Sequence, residues 1–203
     1  MIRSTFKKQS KSPFTLILYY ILMGLSFGLI YCSMFEVIWA SNTFYWLAKV
    51  CITLFIMSLL LNVVVTFSNP GYLDRDDNIP FTGLLDTIEA SSLCPDCYVI
   101  RSPRCRHCNL CNRCIDRFDH HCPWINNCIG KGNFRKFYAF VFVQLFYLLF
   151  IVFAAGVYIK LDFFDDVMVN EHEDHGIHLQ NRWRRLCGII AGLLSLLFLF
   201  SVM

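Results

Sequence analysis

The sequence predicts an all-α integral membrane protein with four transmembrane helices and a cysteine-rich loop domain between the second and third helices. The chain has 203 residues, of which 56% are hydrophobic and only 16% are charged, whereas an ordinary soluble domain is about 25% charged. It contains four long apolar runs, and eight of its eleven cysteines fall between Cys94 and Cys128. Lipid as the solvent explains this apolar surplus better than one small globular core does.

The four apolar runs are the predicted helices, and a membrane-spanning helix needs roughly 20 such residues. They extend from Ser12 to Phe35, from Lys49 and Val50 to about Phe67, from Phe137 to Ile159, and from Leu186 to Met203. The alternative for each run is a buried core helix, but the first and third are apolar all round rather than on one stripe. The fourth run stops while still apolar, so we expect the chain to be truncated at its C-terminus.

Charge predicts how these helices are oriented in the membrane. The N-terminal tail carries Arg3, Lys7, Lys8 and Lys11, and the loop from about Ser68 to Lys136 carries nine basic residues. The loop after the third run is acidic, from Asp162 to Asp174. The positive-inside rule therefore places both termini and the cysteine-rich loop in the cytosol, although Arg182, Arg184 and Arg185 disagree. No small-residue cleavage site follows the first run, so we interpret it as a retained anchor. The net charge of +3 is mild and does not suggest a nucleic-acid partner.

The cysteine-rich loop has the spacing of a zinc-binding segment. It contains Cys94-x-x-Cys97, then His107-Cys108-x-x-Cys111-x-x-Cys114, then Asp119-His120-His121-Cys122, and finally Cys128. Short C-x-x-C turns hold two thiolates at the geometry of a tetrahedral zinc ion. A disulfide scaffold is the alternative, but histidines and C-x-x-C pairs favour metal in a reducing compartment.

The supply of ligands exceeds what zinc requires. Eight cysteines and three histidines lie between residues 94 and 128, giving eleven candidate ligands. Two closed structural zinc sites use eight of them, and a purely structural segment has no use for a spare thiol beside a spare imidazole. A thiol beside an imidazole provides the nucleophile and the general base that nucleophilic catalysis uses.

The run Asp119-His120-His121-Cys122 closely resembles the signature of the DHHC family of protein S-acyltransferases, or palmitoyltransferases. The surrounding residues agree with that family over a long stretch, as does the short element Asn69-Pro70-Gly71 after the second run, and the order of spans resembles the family's four-span plan. The agreeing positions are Pro103-Arg104, His107-Cys108, Cys111, Cys114, Pro123-Trp124, Asn127-Cys128, Gly130, Asn133 and Phe137.

The resemblance implies two structural zinc ions and a catalytic cysteine. One zinc would take Cys94, Cys97, His107 and Cys114, and the other would take Cys108, Cys111, His121 and Cys128. Cys105, His120 and Cys122 are then left over. Cys122 is the expected nucleophile, His120 its general base and Asp119 the residue that orients His120. The expected activity is transfer of a long-chain acyl group, most of all palmitoyl, from acyl-CoA to cytosolic cysteines of membrane-associated proteins.

We expect three regions: residues 1–67 with the tail and two spans, 68–136 as the cytosolic zinc domain, and 137–203 with two further spans and an acidic lumenal loop. The expected location is a multi-pass protein of the endoplasmic reticulum or Golgi. Arg113, Arg117, Lys131, Arg135 and Lys136 are candidates for CoA phosphates or lipid headgroups. Cys105 departs from the family pattern, and the sequence ends before the region after the fourth run where the family usually carries a Thr-Thr-x-Glu element. Two rival interpretations are a zinc-stapled membrane adaptor without chemistry and a RING-type ubiquitin ligase.

Overall fold

The structure is a computed structural model that describes residues 13–40, 45–74, 83, 89, 92–168 and 175–202. For 34–40, 161–168, 175–181 and 198–202 it describes the backbone only. The predicted basic tail and most of the predicted acidic loop between the third and fourth runs therefore lie outside the described side chains.

Each of the four apolar runs lies largely in a long helix. These helices are α1 (Phe14–Ala40), α2 (Tyr45–Thr66), α3 (Phe134–Met168) and α4 (His175–Val202). Three of them contain segments long and apolar enough to cross a membrane: Phe14–Ser33 of α1, Tyr45–Thr66 of α2, and Phe134–Lys160 of α3. Among the described residues α4 is not one of these candidates, so the fourth span stays a prediction.

The helices are longer than the apolar runs that predict them. The third run ends at Ile159, yet α3 continues to Met168 through Asp162, which was expected to lie in a loop. Likewise, α4 begins at His175, before the first apolar residue of its run. Helical hydrogen bonds are local, and neither stretch contains proline, so the helix continues into polar sequence. Hydrophobicity marks the part of a helix that lipid can cover, not the point at which the helix ends.

The cysteine-rich loop folds as three short antiparallel hairpins, which the all-α prediction did not include. They are formed by β1 (Leu93–Cys94) with β2 (Val99–Ile100), β3 (Arg106–Cys108) with β4 (Arg113–Ile115), and β5 (His121–Cys122) with β6 (Asn127–Cys128). A one-turn 3₁₀ helix, Pro123–Ile125, connects β5 to β6. Each turn includes a non-glycine residue with positive φ, namely Tyr98, Asn112 and Asn126.

The chain divides into two compact units, one built from residues 1–17 and 61–140 and the other from 18–60 and 141–203. In the second unit, a buried polar cluster joins three helices. The Tyr19 hydroxyl donates to Gln144 Oε1 at 2.9 Å, and the Ser58 hydroxyl donates to the same oxygen. Gln144 Nε2 lies 3.3 Å from Met23 Sδ. Hydrogen bonds of this kind satisfy polar groups that lipid cannot.

In the first unit, the turn after α2 is tied into the hairpins. Asn69 Oδ1 accepts from the Gly71 and Tyr72 amides at 2.8 and 3.1 Å. The Gly132 amide donates to the Pro70 carbonyl at 3.0 Å, and the Asp116 amide donates to Gly71 at 2.8 Å. Gly71 has a φ of 100°, a conformation that glycine adopts without strain. The Asn-Pro-Gly element thus joins the end of a membrane helix to β4 and to the start of α3.

Candidate active site and metal centres

The first candidate metal-binding group is formed by residues of the first two hairpins. Cys94, Cys97, His107 and Cys114 bring their ligand atoms within 4.8 Å of one another. Cys94 lies on β1, and its Cys97 partner lies in the following turn. His107 and Cys114 are directly opposite each other in the β3–β4 pair. His107 Nδ1 is 3.2 Å from Cys97 Sγ, 3.6 Å from Cys94 Sγ and 3.9 Å from Cys114 Sγ.

The second group combines the second and third hairpins. Cys108, Cys111, His121 and Cys128 also lie within 4.8 Å of one another. His121 Nδ1 is 3.4 Å from both Cys111 Sγ and Cys128 Sγ, and 3.9 Å from Cys108 Sγ. His121 and Cys128 are paired across β5 and β6. The structure therefore brings together the same two sets of four residues that the resemblance implies.

These donor sets fit a tetrahedral metal ion. Metal–sulfur and metal–nitrogen bonds of about 2.3 and 2.0 Å give tetrahedron edges of about 3.5–3.8 Å, close to the distances found here. Burial, followed by the nearby Cys94 and Cys97 sulfurs, raises the pKa of the Cys114 thiol. A hydrogen bond with Cys111, followed by burial, raises the pKa of the Cys128 thiol. Thiolates packed this closely repel each other, and a divalent cation would remove that repulsion.

Two small buried clusters lie at these groups, and Leu73, Tyr72, Leu110 and Phe118 pack against them. One buried cluster consists of Cys94, Val99, Cys105 and Cys114, and the other of Cys108, Ile115 and Cys128. Cysteines make up most of both clusters, which is why metal ligation can replace a hydrophobic core in a segment of this size. Cys105, which departs from the family pattern, lies buried beside the first group but outside it.

Cys122 belongs to neither group. It lies on β5 directly before the 3₁₀ helix, and only 6% of its surface is exposed. Burial raises the pKa of the Cys122 thiol, and the backbone amides of Trp124 and Ile125 oppose that rise. A thiol in this environment needs a neighbouring base to become a nucleophile.

Strand alternation separates Cys122 from the metal ligand beside it. β5 itself consists of His121 and Cys122; just before it, the Asp119 amide donates to Ile129 and the Ile129 amide donates to His120, so both residues lie opposite Ile129. Successive side chains of an extended strand point to opposite faces. His121 lies in the second metal group, so Cys122 projects from the opposite face of β5, and continued alternation would place His120 on the face of Cys122.

The predicted base and its orienting residue are neighbours. His120 Nδ1 is 3.6 Å from Asp119 Oδ2, and both side chains are about half exposed, at 45% and 48%. The imidazole and the Phe137 ring form an edge-to-face contact, with ring centroids 5.5 Å apart and planes at 70°. Asp119 and Phe137 therefore restrict the orientation of His120 from two sides.

A basic cavity opens next to Asp119. Its volume is about 880 Å³, and its wall includes Arg104, Arg117, Lys131, Arg135 and Lys136 together with Phe118 and Tyr138. Four of these five cations are candidates from the sequence. The fifth candidate, Arg113, lies outside the cavity wall, where its guanidinium pairs with Asp74 at 2.8 Å and lies over the Tyr72 ring.

Two buried asparagines form hydrogen bonds that connect the parts of the site, and the sequence pattern predicted no role for either. Asn133 Oδ1 accepts from the Gly130 amide at 3.0 Å, and Asn133 Nδ2 donates to the Cys128 carbonyl at 2.9 Å. Asn127 makes a second set of contacts with the end of α2. Their presence in the residues that resemble the family was the only signal, because side-chain bonds to distant backbone leave no periodic pattern.

Membrane-length helices joined to two Cys₃His groups, with a cysteine outside both, define a membrane protein with a metal-binding domain and a spare thiol. Residues 87–203 match the family profile described as DHHC palmitoyltransferase. The chain belongs to the DHHC palmitoyltransferase family.

Several curated proteins are similar to this chain. "Probable protein S-acyltransferase 7" of Arabidopsis thaliana is 34% identical over 110 residues, which cover 54% of this chain and 22% of that protein. "Palmitoyltransferase akr1" of Schizosaccharomyces pombe is 36% identical over 130 residues, covering 56% and 20%. "Palmitoyltransferase ZDHHC5-B" of Danio rerio is 37% identical over 102 residues, covering 44% and 16%. The chain thus spans about a fifth of the length of these relatives.

Proposed function

We propose that this chain transfers a long-chain fatty acyl group, most of all palmitoyl, from acyl-CoA to cysteine thiols of other proteins through an acyl-Cys122 intermediate. The observation that supports this most directly is the position of Cys122. It lies on the same hairpin as His121 and Cys128 but outside both four-residue groups, and strand alternation would place His120 on its face. Relatives named palmitoyltransferases support the same conclusion.

The proposed reaction has two balanced half-reactions. His120 takes the proton of the Cys122 thiol, and the thiolate attacks the carbonyl carbon of the acyl-CoA thioester. The bond from that carbon to the CoA sulfur breaks, and the departing CoA thiolate takes the proton from His120. In the second half, His120 deprotonates the cysteine of the target protein, which attacks acyl-Cys122, and the proton returns to Cys122. Asp119 orients the imidazole and stabilises its charged form.

In this proposal two zinc ions are structural. Cys94, Cys97, His107 and Cys114 would hold one, and Cys108, Cys111, His121 and Cys128 would hold the other. Zinc would supply folding free energy to a segment with little core of its own. The ligands join the first hairpin to the second and the second to the third, so this chain's own residues fix the hairpin that carries Cys122.

The basic cavity supports acyl-CoA as the donor. Five cations surround a space of about 880 Å³ bordered by Asp119 and Tyr138, and phosphates are favoured partners of clustered arginines and lysines. Lys131 also pairs with Asp116 at 3.0 Å, but 61% of its side chain is exposed, so it can still reach a phosphate in the cavity. We assign the CoA phosphates to this cavity.

The membrane arrangement completes the proposal. The proposed protein has four spans in an endoplasmic reticulum or Golgi membrane. Two spans lie in residues 1–67 and two in residues 137–203, and residues 68–136 between them form a cytosolic zinc domain. The three candidate spans support a membrane location, and the nine basic residues of the loop support its cytosolic side. Target cysteines would then lie on membrane-associated proteins at the cytosolic face.

Acyl labelling of a Cys122→Ser variant tests this function. Purified wild type incubated with palmitoyl-CoA is expected to gain one hydroxylamine-sensitive acyl group, and Cys122→Ser is expected to gain none while retaining its zinc. A serine hydroxyl is far less acidic than a thiol, so the same base does not activate it comparably. Normal labelling of the variant would place the nucleophile elsewhere. Loss of zinc would make Cys122 a ligand.

A further inference from the structure

Asn127 is a buried polar side chain with an unusually complete set of contacts. Only 3% of its surface is exposed. Its Nδ2 lies 3.2 Å from the Val65 carbonyl, 3.1 Å from that of Thr66 and 2.9 Å from that of Ser68. Its Oδ1 accepts from the Cys128 amide at 2.9 Å and from the Tyr72 hydroxyl at 3.4 Å.

These contacts require an amide. Nδ2 faces three acceptors and Oδ1 faces two donors, so the orientation of the side chain is determined by its partners. The three carbonyls belong to the last turn of α2 and the residues just after it, where helix carbonyls have no partner within the helix. The Val65 carbonyl also accepts from the Ser68 amide and hydroxyl at 3.2 and 2.8 Å, so Asn127 matters most for the carbonyls of Thr66 and Ser68. At the end of a membrane helix such carbonyls are costly to leave unpaired. Asn127 therefore closes the end of α2.

The same residue is the direct strand partner of Cys122. Cys122 and Asn127 are opposite each other in the β5–β6 pair, and opposite residues of an antiparallel pair project from the same face. Only residues 123–126 separate the two along the chain. A side chain fixed to the end of α2 therefore fixes the position of the sulfur opposite it.

We propose that Asn127 is a positioning residue that holds the Cys122 thiol at a set location relative to the end of α2. It does not touch the reacting atoms; it acts through the hairpin and governs how fast Cys122 reacts once acyl-CoA is bound. This inference rests on the proposed function in that it takes Cys122 as the nucleophile.

Asn127→Asp is the sharpest test, because aspartate has the same shape but turns a carboxylate oxygen toward three carbonyls. Asn126→Asp is the matched control: it makes the same change one residue away, at a partly exposed position whose left-handed backbone aspartate tolerates. Asn127→Ala removes the donors without adding charge. The full chain of each is compared with wild type in phospholipid nanodiscs.

Three quantities are measured: zinc per chain, the single-turnover rate of acyl-Cys122 formation against palmitoyl-CoA concentration, and the alkylation rate of Cys122 by N-ethylmaleimide without acyl-CoA, followed by peptide mass spectrometry. For Asn127→Asp we expect the maximal rate to fall about ten- to a hundredfold, since a misplacement near 1 Å has effects of that order. The half-saturating concentration should stay within about twofold, since Asn127 does not line the basic cavity. Cys122 alkylation should change while Cys105 alkylation and zinc do not, and Asn126→Asp should match wild type.

The outcomes separate this inference from the proposed function. If wild type forms no acyl-Cys122, the proposed function is wrong. The alkylation rate of Cys122 then decides by itself whether Asn127 positions the thiol. Unchanged Cys122 alkylation, or unchanged single-turnover kinetics in an active protein, would overturn the inference. So would a change confined to the half-saturating concentration. If Asn127→Asp loses zinc, Asn127→Ala decides in its place. Zinc loss in both variants would make the residue part of the metal domain's stability and would also overturn the proposal.

Discussion

Adjacent residues His121 and Cys122 project from opposite faces of β5, and His121 lies in the second metal group. The proposed function assigns the other face to catalysis, with His120 expected on the face of Cys122 by the same alternation. A shift of one residue in the pairing of β5 with β6 would exchange these faces. Asn127 and Asn133, which bond to backbone on either side of this hairpin, oppose such a shift.

The two histidines therefore make a paired prediction. His120→Ala should slow acyl-enzyme formation by roughly 10²- to 10⁴-fold, the usual loss for a general base, while zinc content stays at the wild-type value. His121→Ala should lose zinc and unfold the domain. Metal analysis beside single-turnover labelling measures both. Zinc loss in His120→Ala would contradict the assignment of faces.

Asp119 is expected to matter less than His120. Its carboxylate is 3.6 Å from the imidazole and about half exposed, so water screens its charge. Asp119→Ala should slow acylation less than His120→Ala does, with folding preserved, when the two variants are compared in the same labelling assay. An equal or larger loss for Asp119→Ala would give this residue a more direct role than orientation.

Cysteines make up most of the buried clusters of the hairpins, so we expect the hairpins to depend on metal ligation for their stability. Zinc content should be close to two ions per chain, and Cys97→Ala should lower it and unfold the domain. Cys105→Ala is the control, since Cys105 is buried beside the first group without belonging to it. Metal analysis of the purified variants decides. A wild-type content near one, or zinc loss in Cys105→Ala, would require a different ligand set.

The Asn-Pro-Gly turn and β4 leave no space at Gly130. A Cβ there would overlap the Ile115 side chain and the Pro70 carbonyl. Gly130→Ala should lower the free energy of unfolding by about 1–3 kcal/mol, the usual effect of overpacking. Gly156→Ala, on an exposed face of α3 with nothing within 4 Å of the added methyl, should be neutral or stabilising by up to about 1 kcal/mol. Thermal unfolding of both variants checks this, and equal midpoints would contradict it.

For the whole molecule, the distribution of charge predicts which side of the membrane each segment faces. A tag at the N-terminus and a tag beside residue 90 should both be cleaved by protease from the cytosolic face of sealed vesicles, while a tag near Asp166 should be protected. The reason is the basic tail and the basic loop, which resist translocation. Cleavage at Asp166 in intact vesicles would reverse the arrangement of the second half of the chain.

Sequence predicted the apolar helices and the two ligand sets with different kinds of information. Uniformly apolar runs identify segments that lipid can cover, and three of the four meet the length and composition of a span in the described structure. The ends were wrong by several residues, as for α3 at Met168 and α4 at His175, because a helix does not stop where its hydrophobicity does. Spacing indicated metal binding, since C-x-x-C turns constrain geometry locally, and the resemblance implied which eight residues would be the ligands.

By itself, the sequence predicted a membrane protein with eleven candidate metal ligands, because composition and short-range spacing are local properties. Its resemblance to the DHHC family implied which eight of them would bind metal and which Cys-His pair would be left over. Only the tertiary structure decided which face of β5 each residue takes, that the Asn-Pro-Gly turn fills the space beside Gly130, and that Asn127 joins the strand opposite Cys122 to the end of α2. Those contacts connect residues about 60 positions apart, such as Val65 and Asn127. The spacing of residues along one sequence does not predict these contacts, because they depend on how separate elements pack together.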